Sequence, residues 1–310
     1  MANGDIVFYG TAAIGLPILR ELQQRRRLAL IVTQPDARGG RNRQVITSPV
    51  KRFAEENNVS VIQPASLRET GISEIIGRGQ PLVAVVVAYG QFIPRALYSL
   101  PRFKTVNVHF SLLPAYRGAA PVQRAIENGE EHSGITIFEI SGRMDAGDIW
   151  AQKEAPILPD DTCAAYQQRL GELAAPFLLD TLEGIVAGRI EKRPQDDAAA
   201  TLAPPVKKSE GLADWNLPAR RLADKLRAFT PWPGLYCRDG SRLIKIINAR
   251  AGGSTHQASS GTILSLDARV LQVACGQGTV LEIVAIRPEG KKEMSPWQYS
   301  LGNRFPARLA

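Results

Sequence analysis

An asparagine and a histidine two positions apart form the pattern in this chain that is best suited to chemistry. Asn107 and His109 stand at the end of an apolar run, and the chain has only three histidines. Residues i and i+2 of a strand point to the same face, so the two side chains could converge on one substrate atom. An imidazole titrates near neutral pH, and an amide donates hydrogen bonds without titrating. The pair therefore suits a reaction that develops an oxyanion and moves a proton, although a polar strand end would look the same.

A candidate acid follows in a loop flanked by glycines, at Asp145 of Gly142-Arg-Met-Asp-Ala-Gly-Asp148. A carboxylate beside His109 would orient the imidazole ring and favour its charged form. It could also accept a proton, directly or through water. The alternative is an aspartate that only satisfies the backbone of its own turn. Both interpretations stay open, because the sequence does not show whether Asp145 and His109 meet.

The elements that must position these residues alternate between strands and helices in the first two thirds of the chain. Residues 82–88 form a continuous run rich in β-branched residues, which is typical of a strand covered on both faces. The alternation predicts an α/β fold with a mainly parallel sheet, and ligands of such sheets bind beyond the carboxyl ends of the strands. The predicted strands are 5–9, 28–33, 59–63, 82–88, 105–110 and 134–140, and the predicted helices are 14–24, 48–57 and 119–128.

The last third of the chain differs in both pattern and charge. Residues 191–208 are rich in Pro, Ala, Asp and Lys and predict a linker. Residues 205–310 hold 16 Lys and Arg against 8 Asp and Glu, whereas residues 1–204 hold 22 of each. This excess indicates either a polyanionic partner such as nucleic acid or charge that only favours solubility. A helix at 217–229 and strands at 235–238, 243–249, 261–265, 270–275 and 279–286 predict a small barrel.

Composition argues against several other classes of protein. The sequence has no run of about 18 apolar residues and no secretion signal, so we expect a cytoplasmic protein without a transmembrane helix. Cys163, Cys237 and Cys275 lie far apart, which predicts free thiols rather than disulfides. The turn after the first strand lacks the glycine pattern of a dinucleotide site. We expect no metal, because the His and Cys residues are scattered.

Taken in order, the motifs resemble those of the 10-formyltetrahydrofolate-dependent formyltransferases. The resemblance rests on Asn107-Val-His109 with Ser111-Leu-Leu-Pro114, on Arg117-Gly-Ala-Ala-Pro121 and on Asp145-Ala-Gly-Asp148. It implies a Rossmann-like formyltransferase domain at 1–190, a linker at 191–208 and a basic, tRNA-binding OB-type β-barrel at 209–310. It also implies that Asn107, His109 and Asp145 act on the formyl carbonyl. The folate site would include Ser111, Leu112, Leu113, Pro114, Gln91 and Ile93, the last two from a loop at 89–94.

Further segments resemble the members of that family that act on methionyl-tRNA. Thr33-Gln-Pro-Asp36 and Ser48-Pro-Val-Lys51 flank an arginine-rich insertion. The barrel contains matching motifs at Phe229-Thr-Pro-Trp-Pro233, Gly261-Thr-Ile263, Gly290-Lys-Lys292 and Gly302-Asn-Arg304. The resemblance implies transfer of the formyl group of 10-formyltetrahydrofolate to the α-amine of initiator methionyl-tRNA, with tRNA bound by Arg38, Arg41 and Arg43. The alternatives are a formyltransferase for a sugar nucleotide or glycinamide ribonucleotide, and a non-catalytic tRNA-binding protein.

The chain departs from the usual family pattern at three places. Arg143-Met144 precede Asp145 where Gly-Leu is usual, the insertion has few lysines, and Leu202 stands where tyrosine is common. Arg143 is the most informative departure, since a cation beside Asp145 would stabilise its ionised form. An arginine that points into solvent would have no such effect.

Overall fold

The computed structural model describes residues 5–25, 27–39, 44–240 and 242–309. Their contacts divide the chain into two compact units. The first consists of Met1–Pro121, His132–Pro156 and Gln167–Pro204, and the second of Val122–Glu131, Ile157–Tyr166 and Pro205–Ala310. The domain limits at 1–190 and 209–310 stay predictions.

A mixed, mostly parallel sheet forms the centre of the first unit. Its described strands are β1 (Ile6–Gly10), β2 (Leu28–Val32), β5 (Val61–Ile62), β6 (Val83–Val87), β7 (Thr105–His109), β8 (His132–Glu139) and β9 (Ile149–Pro156), and a separate ribbon pairs β3 (Ala37–Gly39) with β4 (Gln44–Ile46). The order in the sheet is β5-β2-β1-β6-β7-β8-β9. The pairs from β5 to β7 are parallel, whereas β8 is antiparallel to both β7 and β9.

The helices of the N-terminal part begin where the local sequence favours them. Ser48 caps one of them by accepting a hydrogen bond from the Lys51 N–H at 3.0 Å, and Pro49 occupies the first helical position, where its missing N–H costs nothing. The helices are α1 (Leu16–Gln24), α2 (Pro49–Glu56), α3 (Ile72–Gly77), α4 (Arg95–Tyr98), α5 (Pro121–Glu127) and α6 (Cys163–Val186).

The strand and helix predictions for this part are confirmed, with boundaries that shift by one or two residues. Six observed helices and strands of this part were not predicted: α3, α4, α6, β3, β4 and β9. The edge strand β9 has no regular alternation of buried and exposed residues, so its sequence has no period of two. The helix α6 contains Pro176 in its interior, a residue that normally argues against a continuous helix.

Four neighbouring parallel strands bring the candidate site together. The order β2-β1-β6-β7 places the carboxyl ends of these strands along one edge of the sheet. The segments that follow them contain Gln34, Thr11 and residues 88–90, and β7 itself ends with Asn107 and His109. In the middle of this edge β6 is buried at all five positions, so the site is attached to the core of the unit.

The second unit contains an antiparallel sheet of five described strands. They are β10 (Leu235–Asp239), β11 (Arg242–Thr255), β12 (Ile263–Leu266), β13 (Leu271–Ala274) and β14 (Thr279–Pro288), accompanied by α7 (Ala219–Ala228) and α8 (Pro296–Ser300). The order is β10-β11-β14-β13-β12. Leu222 and Leu226 of α7 pack into the same core as Leu235 and Ile283 of the sheet. The five predicted strands and the helix before them are confirmed.

The described part of the chain contains no helix that is long and apolar enough to cross a membrane. Within the same residues, no three His, Cys, Asp or Glu side chains cluster in a way that could hold a metal ion.

Candidate active site

His109 and Asp145 meet at the carboxyl edge of the sheet. His109 is the last residue of β7, and Asp145 lies in the loop between β8 and β9. The Nδ1 atom of His109 lies 3.7 Å from the Oδ2 atom of Asp145. Both side chains are largely buried, with 7% and 13% of their surface exposed. Charges in such a sheltered place interact more strongly than charges in water.

The imidazole of His109 is fixed by its second nitrogen. Its Nε2 lies 2.8 Å from the carbonyl oxygen of Tyr116, which can only accept, so Nε2 carries the proton. The edge-to-face ring of Phe138, with centroids 6.4 Å apart, further limits its orientation. The nitrogen that is left to titrate is therefore Nδ1, which faces Asp145.

Burial determines the charge of His109 in the free protein. It lowers the pKa of the imidazole below the usual 6.5, although Asp145 and the Tyr116 carbonyl act in the opposite direction. His109 is therefore neutral at pH 7. Asp145 favours the charged form of the ring, as expected of a neighbouring carboxylate, but desolvation has the larger effect on the pKa.

Asp145 is held in an uncommon backbone conformation. Its φ is +48°, in the left-handed region that aspartate tolerates better than most residues. Its Oδ2 accepts a hydrogen bond from the backbone N–H of Gly118 at 2.8 Å. Gly118 has a φ of +127°, and a Cβ there would lie 2.6 Å from the Ala203 carbonyl oxygen. The carboxylate thus accepts a hydrogen bond from the backbone of a distant loop, and the donor occupies a position suited to glycine. An aspartate that only satisfied its own turn would not need this contact.

Asn107 supplies an amide that the fold does not use. The residue is half-buried on β7, opposite Phe138 of β8. Its side chain makes no hydrogen bond with any residue that the structure describes. A half-buried amide without a partner can still donate to a ligand, which distinguishes Asn107 from an ordinary polar strand end.

Most polar groups of the Ser111–Pro114 segment serve the fold. The buried Ser111 hydroxyl donates to the Ala115 carbonyl at 2.7 Å. Thr136 donates to the Ser111 carbonyl at 2.7 Å and accepts from the Leu113 N–H at 3.0 Å. The Leu113 side chain is buried, whereas Leu112 and Pro114 are half-buried. Of the four folate-site residues predicted in this segment, Leu112 and Pro114 therefore have the most accessible surface.

The loop after β6 is held by two side chains from neighbouring strands. The Tyr89 carbonyl accepts hydrogen bonds from the Thr11 hydroxyl at 3.1 Å and from Gln34 Nε2 at 2.6 Å. Ile93 is buried and Gln91 is half-buried. Phe92, which lies between them in the loop predicted to hold the folate, is 60% exposed and adds apolar surface there.

The arginine-rich insertion is anchored at its base. Lys51 donates to Asp36 at 2.7 Å, and Gln63 donates to the other oxygen of the same carboxylate at 2.9 Å. The ribbon of β3 and β4 continues from this base. Arg38 lies on β3, whereas Arg41 and Arg43 lie outside the described residues.

The segment predicted to be a linker contributes side chains to the site. Gln195 and Asp197 both bond to Arg117, and Asp197 also pairs with Arg143 at 2.7 Å. Arg143 is 68% exposed and directed to Asp197, so it is not the partner of Asp145. Gln195 was not among the predicted site residues, because a glutamine in a Pro- and Ala-rich stretch has no distinctive pattern.

Comparisons with known proteins cover nearly the whole chain. The formyl transferase family model matches residues 6–182, and the model of the formyl transferase C-terminal domain matches residues 205–304. A methionyl-tRNA formyltransferase of Methylococcus capsulatus is 39% identical over 94% of this chain and 94% of its own length. One from Citrifermentans bemidjiense is 37% identical over 98% and 95%, respectively.

A solved structure of low sequence identity has the same fold. An N-formyltransferase from Helicobacter canadensis, in complex with folinic acid and dTDP-3-aminofucose, superposes with a TM-score of 0.65 at 16% identity. The match covers 91% of this chain and 99% of that one. At this identity the likeness supports the fold alone, whereas the full-length relatives support the family. This chain belongs to the formyl transferase family, among its methionyl-tRNA formyltransferases.

Proposed function

We propose that this protein transfers the formyl group of 10-formyltetrahydrofolate to the free α-amine of initiator methionyl-tRNA, giving N-formylmethionyl-tRNA. The proposal rests mainly on the contact of His109 with Asp145. Asn107, on the same face of β7, has an amide that makes no hydrogen bond with the described residues. Charged tRNA is used where translation takes place, so a cytoplasmic location is part of the proposal.

Asn107 is proposed to stabilise the charge that develops on the formyl oxygen. When the amine attacks the formyl carbon, the carbonyl oxygen becomes an oxyanion. The Asn107 amide is free to donate to it and is fixed by a paired strand, so little reorganisation is needed. One preorganised donor of this kind contributes about 3–4 kcal/mol to lowering the barrier.

His109 is proposed to move the proton. The attacking amine must be neutral and becomes positively charged as the new C–N bond forms. The neutral imidazole can accept its proton at Nδ1 and later return it to the departing folate nitrogen. Asp145 stabilises the imidazolium that exists between these two steps. The lowered pKa suits both roles, because the resting ring is a free base and its charged form is a good acid.

The residues at the edge of the sheet fit a folate. The half-buried Leu112 and Pro114 and the exposed Phe92 provide apolar surface, and Gln91 provides an amide. Pockets for such ligands are mostly apolar with a few polar groups. When bound, the folate supplies the formyl group, and this chain holds and orients it.

The tRNA part of the proposal rests on charge and on the insertion. The excess of Lys and Arg lies in residues 205–310, and the insertion adds Arg38, Arg41 and Arg43. A firmly anchored base and an arginine-rich sequence suit an insertion that contacts the acceptor end. Phosphate contacts by such residues supply affinity without reading the base sequence.

The deciding experiment is a formylation assay with charged initiator tRNA and 10-formyltetrahydrofolate. Glycinamide ribonucleotide and a dTDP-amino sugar serve as competing acceptors under identical conditions. We expect turnover with the charged tRNA alone. Turnover with either small acceptor instead would support the corresponding alternative, and tRNA binding without any turnover would support a non-catalytic protein.

Arg41→Ala separates tRNA placement from chemistry in the same assay. We expect kcat/KM for the charged tRNA to fall, with folate binding unchanged. Arg68→Ala is the matched control, since Arg68 is an exposed arginine of the first unit outside the insertion. Equal effects of the two changes would remove the role assigned to Arg41.

A further inference from the structure

We propose that Gln195 is a positioning residue that fixes the loop of Asp145 against His109, so that the segment predicted to be a linker is part of the catalytic apparatus. The inference rests on the proposed function, since it assigns Gln195 a part in that reaction.

Gln195 uses both ends of its amide inside the site. Its Nε2 donates to the backbone carbonyls of Asp145 at 2.9 Å and of Gly147 at 2.7 Å. Its Oε1 accepts from Nε and from a terminal nitrogen of Arg117, at 3.0 and 2.7 Å. One side chain therefore makes four hydrogen bonds and joins the loop of Asp145 to Arg117, which lies between β7 and α5.

The loop needs such support because its own backbone is uncommon. Asp145 has a positive φ, which a non-glycine residue adopts only when its surroundings favour it. The backbone at the Cα of Gly147 is closely packed, since a Cβ on Gly147 would overlap the Glu139 carbonyl oxygen. The Asp145 carbonyl belongs to the peptide group shared with Ala146, and the Gly147 carbonyl to the one shared with Asp148. The two hydrogen bonds from Gln195 therefore hold the backbone on both sides of Ala146 and Gly147.

The same segment also orients the partner of the Asp145 carboxylate. Arg117 precedes Gly118, whose N–H donates to Asp145 Oδ2 at 2.8 Å. The backbone of Arg117 pairs with residues 201–203, with its N–H donating to the Thr201 carbonyl at 2.8 Å and its carbonyl accepting from the Ala203 N–H at 2.7 Å. Asp145 is thus held at its backbone by Gln195 and at its carboxylate by Gly118, and both supports involve residues 195–203.

Asp197 adds a second tie that is particular to this chain. It joins Arg117 at 2.8 Å to Arg143 at 2.7 Å, and Arg143 is the residue that departs from the family pattern. Both arginines hold the pKa of the Asp197 carboxyl below its usual range, so the tie persists through neutral pH. Because Asp197 is half exposed, water weakens this tie, and Gln195 remains the principal support.

Gln195→Ala and Gln195→Glu test the inference together. Glutamate has the same size and keeps an acceptor for Arg117, but it replaces the N–H donors by an oxygen that repels the two carbonyls. We expect both variants to lose about 10- to 100-fold in kcat, the effect of a small misplacement of a reacting group. The KM values for both substrates should stay within about twofold. In Gln195→Ala, which adds no charge, the acid limb of the pH–rate profile should also move to lower pH.

The expected pH shift follows from the groups that face His109. These are the Asp145 carboxylate, which raises the pKa of the imidazole, and the uncharged Tyr116 carbonyl and Phe138 ring. If Asp145 is held less firmly, it stabilises the charged imidazole less, so the pKa of His109 should fall further. NMR titration of His109 in the free variants measures this shift without turnover.

Gln168→Ala is the matched control, because Gln168 is a glutamine of α6 bonded only to Glu172 among the described residues. An inactive wild-type protein would contradict the proposed function, and the His109 titration would still test Gln195. A Gln195→Glu protein with wild-type kcat and an unchanged His109 titration would overturn the inference. A rise in KM with an unchanged kcat would overturn it as well.

Discussion

Opposing influences act on His109 at the scale of single residues. Burial removes the imidazole from water and disfavours its charge, while Asp145 at 3.7 Å favours it. Asn107, two residues earlier, does not titrate and has no partner among the described residues. The two side chains therefore have separate roles, with a neutral base at one position and a hydrogen-bond donor at the other.

Asn107→Ala should lower kcat by about 10²- to 10³-fold, the usual loss for one oxyanion donor. The affinity for a folate analogue should change little, because the donor is needed mainly when charge develops. Steady-state kinetics and equilibrium binding measure the two quantities. Asn248→Ala, an exposed change on β11, is the control. A comparable loss in folate affinity would instead assign Asn107 to ground-state binding.

The lowered pKa of His109 has a consequence for stability. Between the folded pKa and the unfolded value near 6.5, the unfolded chain binds more protons at this residue than the folded protein does. The contribution of His109 to stability is therefore retained above pH 6.5 and falls as the pH decreases below it.

His109→Gln should remove this dependence. We expect the free energy of unfolding of the wild-type protein to fall more steeply than that of the variant below pH 6.5. Denaturant titrations of both proteins over a series of pH values measure the difference, in which other titrating groups largely cancel. Parallel curves would mean that His109 is not buried as a neutral base.

At the scale of elements, the two ends of the arginine-rich insertion are held by hydrogen bonds of flanking side chains. Ser48 caps α2 and also hydrogen bonds the Thr33 hydroxyl at 3.0 Å, so one hydroxyl joins the end of the insertion to the segment before it. Asp36, Lys51 and Gln63 complete the same junction. The insertion is thus attached to the sheet on both sides by side chains that flank it.

Ser48→Ala should lower the free energy of unfolding by about 1 kcal/mol, because the Lys51 N–H loses its cap. Urea denaturation followed by circular dichroism measures the change. Ser99→Ala is the control, since Ser99 is exposed and its hydroxyl makes no hydrogen bond with the described residues. If the two variants are equally stable, the cap contributes nothing measurable.

Charge is distributed unevenly at the scale of the whole molecule. The net charge of +8 lies entirely in residues 205–310, as residues 1–204 have equal numbers of acidic and basic side chains. The chain therefore combines a neutral part that contains the candidate active site with a basic part that suits a polyanion. When basic side chains neutralise the phosphates of a nucleic acid, the counterions condensed on that nucleic acid are released.

Binding of charged tRNA should weaken steeply with salt. For about five phosphate contacts the logarithm of the association constant falls with that of the salt concentration with a slope of about −4. Filter binding between 50 and 200 mM salt, about the range over which such effects are large, measures the slope. Folate-analogue binding in the same buffers is the control. An equally flat response for both ligands would remove the basic part as a tRNA surface.

Local pattern was sufficient for much of the fold. Residues close together in the sequence were enough to predict three features: the β-branched strand at 82–88, the helix start at Ser48-Pro49 and the five short C-terminal strands. The structure contains all of them. The helix α6 was not predicted because it contains a proline in its interior. The edge strand β9 was not predicted because its residues do not alternate regularly between buried and exposed.

The sequence by itself determined which residues could act: an amide and an imidazole on one face of a strand, a carboxylate in a glycine-flanked loop, and a basic last third. Only the tertiary structure decided how they act. Burial made His109 neutral, the Tyr116 carbonyl left Nδ1 to face Asp145, and residues 195–203 came to hold the loop of that acid. Desolvation and long-range hydrogen bonds depend on residues far apart in the chain, so no local pattern records them.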